Sequence, residues 1–435
     1  MDNQNLFSQS YDQIIAQAMG GNSKNFQMLS KPIDFNWPVA ATGQTSPMAY
    51  SIMSMMPSYS PIGQFTPGDA TFFSTYVRLL SHVSFQVDPS KQSDLDGLKN
   101  QLTKAQNSLM AEGDNMATAY QTAKQNGGEV FTAMYPNITA WLEGPGSVYK
   151  NTITKLTASV KALSDQYAAF LTDFSTDPTI AADFEKIKTP TDPIAGAAPA
   201  GWTKVANTDG SLEWQPVFNI PTSGQDWRAQ LTKGSAGAMD ITLDASKTTS
   251  NLKKSWAGAS ASYDSGFWSV KASGSWSQTD IFNSDDSITV NIKTEASTIV
   301  PISAGSWYDS GLMRDLAQNG SGYGARLTPP WTATGSGGNV AFGKDGLLPT
   351  RITGLVVVYK PSYTLSMSSN TYTKHETEIR ASLDIGIGPF TFGGSGGHTN
   401  IDINTTGNRT EIKNVSTSDD PLIIGVTVAF PGIDK

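Results

Sequence analysis

The chain has no cysteine, which excludes a disulfide framework, a thiolate metal site and a cysteine nucleophile, and removes thiols as a guide to redox compartment. Histidine is nearly as scarce. Only His82, His375 and His398 occur in 435 residues, little material for imidazole metal binding or acid–base chemistry. Charged residues make up 16%, against about a quarter in ordinary domains. The formal net charge is -8 and no basic run occurs, which argues against a phosphate-backbone partner, and no nucleic-acid role is expected. No window holds the roughly 18 consecutive apolar residues of a transmembrane helix. The N-terminal "MDNQNLFSQSYDQIIAQAMGG" has neither the basic start nor the apolar stretch of a secretory signal peptide. Secretion or release by a non-classical route is the resulting expectation.

Reaction motifs are missing as well. There is no G-x-S-x-G, no P-loop and no phosphate-cradling Gly turn between strand and helix. Asp285 with Asp286 and Asp419 with Asp420 are neighbours within turns, whereas acid and base pairs converge from separate elements. Asp94, Asp96 and Gly97 approach an EF-hand register, but its first and twelfth positions are Gln92 and Thr103. His375 with Glu376 and Glu378, and His398 with Asn400 and Asp402, read as solvated strand faces. The expectation is a non-enzyme with no catalytic, cofactor-binding or metal-binding residues.

What is present divides the chain by composition. Residues 1–65 lack a sustained period and contain the Met- and Tyr-rich "SPMAYSIMSMMPSYSPIGQF", so they read as an irregular N-terminal extension. Residues 66–187 read as a helical domain. Thr66 is the expected N-cap of a helix whose apolar stripe is Phe72, Tyr76, Leu79, Leu80 and Val83. Two longer seams follow. Leu95, Leu98, Leu102, Ala105, Leu109, Met116, Tyr120 and Ala123 form the first, and Tyr149, Ile153, Leu156, Val160, Leu163, Tyr167, Phe170 and Phe174 the second. Gly- and Pro-rich residues between them predict a long antiparallel coiled-coil hairpin. "KTPTDPIAGAAPAGW" marks a linker over 188–201, and residues 202–435 read as β-rich, with one helix at 306–320. The predicted fold class is α+β multidomain, with an N-terminal helical domain and a C-terminal all-β, sandwich-like domain bearing extended amphipathic hairpins.

"SWAGASASYDSGFWSVKASGSWS" supplies the first of those hairpins. A two-residue turn at Ser265-Gly266 pairs Tyr263 with Trp268, Ala261 with Val270, Ala259 with Ala272, Ala257 with Gly274 and Ser255 with Trp276. One face is then apolar and the other bears Ser260 and Lys271. A second candidate spans 378–404, with Leu383, Ile385 and Ile387 alternating against Ser382 and Asp384, then a glycine-rich loop carrying Phe390 and Phe392. The arms have the length of transmembrane β-strands, and β-class pore-forming toxins build barrels from hairpins of this kind, a likeness of architecture alone. The expected function is a membrane-active, pore-forming homo-oligomer. Its expected lipid contacts are Ala257, Ala259, Ala261, Tyr263, Trp268, Val270, Ala272, Trp276, Leu383, Ile385, Ile387, Phe390 and Phe392. The competing expectation is a structural or carbohydrate-binding assembly protein, with Trp307, Tyr308 and Trp331 beside polar groups as a glycan platform and both hairpins in a soluble core.

Overall fold

The protein is seen as a computed structural model. It describes residues 3–21, 25–30, 47–58, 60, 63–65, 70–84, 87, 89–135, 138–174, 186–187, 198, 200–206, 212–220, 227–233, 237–247, 267–272, 275–279, 281–318, 326–335, 338–381, 384–392, 401–416 and 421–432. The fold is α+β: a helical region followed by antiparallel sheets. In chain order the helices are α1 (Asn3–Ala18), α2 (Pro47–Ser54), α3 (Phe72–Leu80), α4 (Gln92–Met134), α5 (Ile138–Leu142), α6 (Ser147–Phe174), α7 (Trp227–Thr232), α8 (Ser310–Ala317) and α9 (Ser369–Ala381).

Two compact units divide the described chain. The first takes Met1–Tyr76, Val217–Gly305 and Thr334–Lys435; the second takes Val77–Pro216 and Ser306–Ala333. The expected linker over 188–201 lies largely outside the described residues. So does Thr66; α3 begins at Phe72, and Thr71 caps it, its Oγ1 accepting from Ser74 N at 3.1 Å. The stripe of Phe72, Tyr76, Leu79, Leu80 and Val83 is buried as expected.

Strands of the first unit form three larger sheets, all antiparallel. The first is ordered β1 (Phe26–Met28), β19 (Leu422–Ala429), β13 (Arg351–Tyr359), β10 (Ala296–Pro301). β13 and β19, whose sequences RITGLVVVY and LIIGVTVA both set a glycine among apolar residues and valines, are thus sheet neighbours. Their glycines admit close packing: a Cβ on Gly425 would lie 2.4 Å from the Phe26 ring, and one on Gly354 would lie 2.7 Å from Thr427 Oγ1. The second sheet runs β17 (Asp402–Thr406), β18 (Arg409–Val415), β14 (Ser362–Ser368), β9 (Thr289–Lys293), β6 (Asp240–Asp244). The third runs β16 (Phe390–Phe392), β15 (Asp384–Ile387), β7 (Trp268–Ala272), β8 (Ser275–Thr279). Residues of all three sheets share one apolar core. A two-stranded pair, β5 (Phe218–Asn219) with β11 (Ser303–Ala304), completes the unit.

Residues 1–65, expected to be an irregular extension, contribute α1, β1 and α2 to this unit. Helix α1 buries Leu6, Phe7, Ile14 and Ile15 in the shared core. Its other face closes the β6 edge. Gln9 exchanges two bonds with Asp244 N and O at 2.9 Å each, Gln13 with Thr242 at 2.9 and 2.7 Å, and Gln17 with Asp240 at 2.7 and 2.8 Å. The match is geometric: four helical residues rise about 6 Å, close to the roughly 6.7 Å of two strand residues. Side-chain amides therefore take the place of a sixth strand and satisfy an edge that would otherwise template association.

In the second unit α4 and α6 form the expected antiparallel hairpin. Lys91 Nζ, beside the start of α4, lies 5.1 Å from the Phe174 ring at the end of α6. Leu95, Leu102, Tyr120, Tyr167 and Leu171 are buried, while Leu98, Leu109, Ile153, Leu156, Val160 and Leu163 are only half-buried. Two helices alone cannot cover both seams. Helix α8 stands within the expected 306–320 stretch, with Asp309 Oδ1 accepting from Leu312 N at 2.9 Å as its N-cap. Two ribbons, β3 (Trp202–Ala206) with β4 (Leu212–Pro216) and β2 (Val83–Ser84) with β12 (Arg326–Leu327), complete the unit.

Candidate membrane-contact surface

The two expected hairpins are the natural place to look first. Ala257, Ala259, Ala261, Tyr263 and Leu383 lie outside the described residues, as does Ser382. Val270, Ala272 and Trp276 have defined strand positions only. Trp268, Ile385, Ile387, Phe390 and Phe392 are at most 1% exposed, inside the shared core. The expected first register is not the one found. Both edges of β7 are taken, by β8 and by β15, so Val270 faces Ser277 and Ile385 rather than Ala261. The sequence repeats a Ser-Gly dipeptide at 265–266 and at 273–274, and the pairing found sets Ala272 opposite Ser275.

The expected 378–404 hairpin is corrected too. Residues 378–381 belong to α9, where Tyr372, His375 and Ile379 follow helical spacing and Arg380 Nε donates to Glu376 Oε1 at 2.8 Å. His375 and Glu378, expected on a strand face, share that helix, with Nδ1 3.4 Å from Glu378 Oε2. Asp285 anchors its start. Its Oδ2 accepts from Ser368 N at 2.8 Å and Thr371 Oγ1 at 2.9 Å, and its Oδ1 from Ser287 N at 2.8 Å. Burial opposes ionisation of that carboxyl, but the bonds from Ser287 and Ser368 outweigh it and hold the group well below the usual carboxylate range. Strands β15 and β16 do form a hairpin around Gly388, whose N donates to Phe267 O at 2.7 Å. The expected return strand, β17, pairs instead with β18 in another sheet.

Among the described residues the large apolar side chains that stand in solvent are Phe174, 37% exposed at the end of α6, Val415, 59% exposed at the end of β18, and three at the hairpin tip. Val130 is 71% exposed, Met134 62% and Val148 69%, all at the far end of the helical hairpin. By sequence Val130 and Met134 continue the α4 seam from Tyr120, Ala123 and Gly127 in steps of 3 and 4. They leave it because Gly128 adopts φ 53°, ψ -138°, breaking the helical path inside α4. Beneath them lies a connected set of rings. Tyr120 is 5.9 Å from Phe131 and 5.7 Å from Trp141, Phe131 is 5.2 Å from Tyr135, and Trp141 stacks on Tyr149 at 5.6 Å. A Cβ on Gly146 would lie 2.4 Å from the Trp141 ring, so glycine is what lets α6 start against the indole. Lys150 pairs with Glu143 beside it. The tip is an ordered aromatic base carrying apolar side chains outward.

A polar cluster in the same unit has the look of chemistry but serves fastening. Lys99 Nζ donates to Val83 O at 3.1 Å and to Thr328 Oγ1, and Thr328 N and Oγ1 both donate to His82 O at 2.8 and 2.7 Å. Burial pushes the Lys99 amine down to about 8, with Asp96 opposing. Burial, then the charges of Lys99 and Arg78, lowers His82. A depressed amine is a nucleophile when it faces open space, yet this one bonds the β2–β12 ribbon to α4. Two rings of the expected glycan platform are covered wholly or on one face. Trp307 is 0% exposed, and one face of Trp331 is covered by the His82 ring at 4.5 Å. Among the described residues no group of three or more His, Asp or Glu side chains converges for a metal, and no helix is long and apolar enough to cross a membrane.

No protein-family model matches this chain, and no curated protein or solved structure is similar to it.

Proposed function

We propose that the protein is a non-enzymatic, membrane-active protein that meets a lipid surface through the tip of its helical hairpin and acts as an oligomer. The observation that carries this reading is the exposure of Val130, Met134 and Val148 above an aromatic base. Burying the exposed two-thirds of three such side chains yields about 3–6 kcal/mol. That is the range of a single myristoyl chain, which gives marginal, reversible attachment. One tip is therefore a weak anchor, and several tips in an oligomer hold by avidity.

Pore formation by the strands is a separate and costlier step in this reading. Trp268, Ile385, Ile387, Phe390 and Phe392 are sealed in the core, and exposing five such side chains costs about 8–15 kcal/mol before lipid returns any of it. Assembly would have to supply the difference. The test is flotation with liposomes, followed by dye release. Binding by the wild type that disappears in a Val130→Ser/Met134→Ser/Val148→Ser variant supports tip contact; equal binding by both removes it. Dye release then separates a surface-attached protein from one that perforates.

A further inference from the structure

Resting on the membrane reading above, we infer that the tip is an anchor for lipid surfaces of zwitterionic headgroup, aimed at them by the kink at Gly128. The first argument is charge. From Lys124 to Lys150 the charged residues are Lys124, Glu129, Glu143 and Lys150, two of each sign, and Lys150 is neutralised by Glu143. Anionic leaflets are recognised by clusters of Lys and Arg. The tip has no such cluster, and a chain of net charge -8 is repelled by a negative surface. Attraction here is apolar and needs no salt-sensitive partner.

The second argument is backbone geometry. Val130 and Met134 lie four residues apart on one helical face, and the turn that carries them is redirected at Gly128. Its φ of 53° strains any residue with a Cβ, although a Cβ there would touch nothing within 4 Å. An alanine at 128 therefore acts through the backbone alone. Gly127 is different, because its Cβ would lie 2.5 Å from Phe131 Cβ. Lipid is the occupant that fits the size of the patch. Its burial amounts to roughly 100–250 Å², well short of the roughly 1,000 Å² of a stable protein interface, whereas a lipid surface asks for no complementary shape.

The experiment is flotation of the full chain with phosphatidylcholine vesicles and with vesicles that also contain phosphatidylserine, each at low and high salt. Wild type is expected to bind phosphatidylcholine with little salt dependence, and to bind the mixed vesicles more weakly at low salt, the gap closing as salt screens repulsion. Val130→Ser/Met134→Ser is expected to lose roughly 10- to 100-fold in affinity and Gly128→Ala roughly tenfold, both with unchanged circular dichroism. Tighter, salt-sensitive binding to the phosphatidylserine vesicles overturns the headgroup assignment while leaving membrane contact intact. Binding to neither vesicle overturns membrane contact itself. A folded Gly128→Ala protein with wild-type affinity overturns the role of the kink.

Discussion

In the β unit Trp268, Phe282, Phe390 and Phe392 are at most 1% exposed, while at the hairpin tip Val130, Met134 and Val148 are at least 62% exposed. Three sheets and α1 close around the first set in one shared core, with Val415 at the end of β18 the large apolar side chain of the described sheets left exposed. A pair of helices has no such closure. The seam between α4 and α6 stays half-open at Leu98, Leu156 and Val160, and beyond the Gly128 kink it leaves Val130 and Met134 exposed while Phe131 and Trp141 stay packed. The contrast teaches that amphipathic alternation in the β region reports a core, and that the apolar surface available for contact is the one a two-helix hairpin cannot bury.

The largest expected effect sharpens that contrast. Phe392→Ala removes a ring in the core, 4.5 Å from Tyr363, and should cost about 3–5 kcal/mol in urea unfolding. Val148→Ser at the tip should stay within about 0.5 kcal/mol. Comparable losses at the two sites would break the comparison.

Next comes Asp285→Ala, expected to cost about 1–3 kcal/mol by orphaning the Ser368 amide and leaving the Thr371 hydroxyl only its contact with Ser368 Oγ at the start of α9. Its pH signature has a definite sign. A carboxyl held below its unfolded value contributes fully above pH ~4 and loses that contribution as pH falls toward the folded value. Wild type and Asp285→Ala should therefore converge in stability on acidification; a constant gap would contradict the assignment.

Gln13→Ala is expected to cost about 1 kcal/mol and to speed hydrogen exchange at the Thr242 amide, leaving Ile241 and Leu243, which alternate with it on β6, unaffected. Uniform acceleration along β6 would mean that α1 holds the whole strand and not its outer edge. The smallest effect is a pH slope. Lys99 sits at about 8 in the fold against about 10.4 unfolded, so the unfolded chain binds more protons between those values and stability should rise across that window. Lys99→Met should flatten the rise; an unchanged slope would assign it elsewhere.

Much of this fold is legible in the sequence, because both helical seams step by 3 and 4 over most of their length, β6 and β18 alternate, and β13 and β19 are apolar β-branched runs. The rest was ambiguous for physical reasons. Two Ser-Gly dipeptides in one strand-forming stretch allow two hairpins, and only the neighbour β15 decides between them. Ile379 and Ala381 alternate like a strand while Tyr372, His375 and Ile379 step like a helix, and the cap from the distant Asp285 favours the helix. Helix α1 left a signal in Gln9, Gln13 and Gln17 at spacing four, a pattern that gains meaning only when an edge strand lies beside it. The tip was hidden for a different reason. Val130 and Met134 obey the seam period, and only the conformation of Gly128 turns them to solvent.

The most direct test of the account uses single cysteines in this cysteine-free chain, placed at Met134 on the tip, at Thr391 in β16 and at Ala259, each carrying an environment-sensitive fluorophore. On adding phosphatidylcholine vesicles, the account predicts a blue shift at 134 and none at 391 or 259. Blue shifts at 259 and 391 with 134 unchanged would contradict it and return the lipid contact to the β-hairpins.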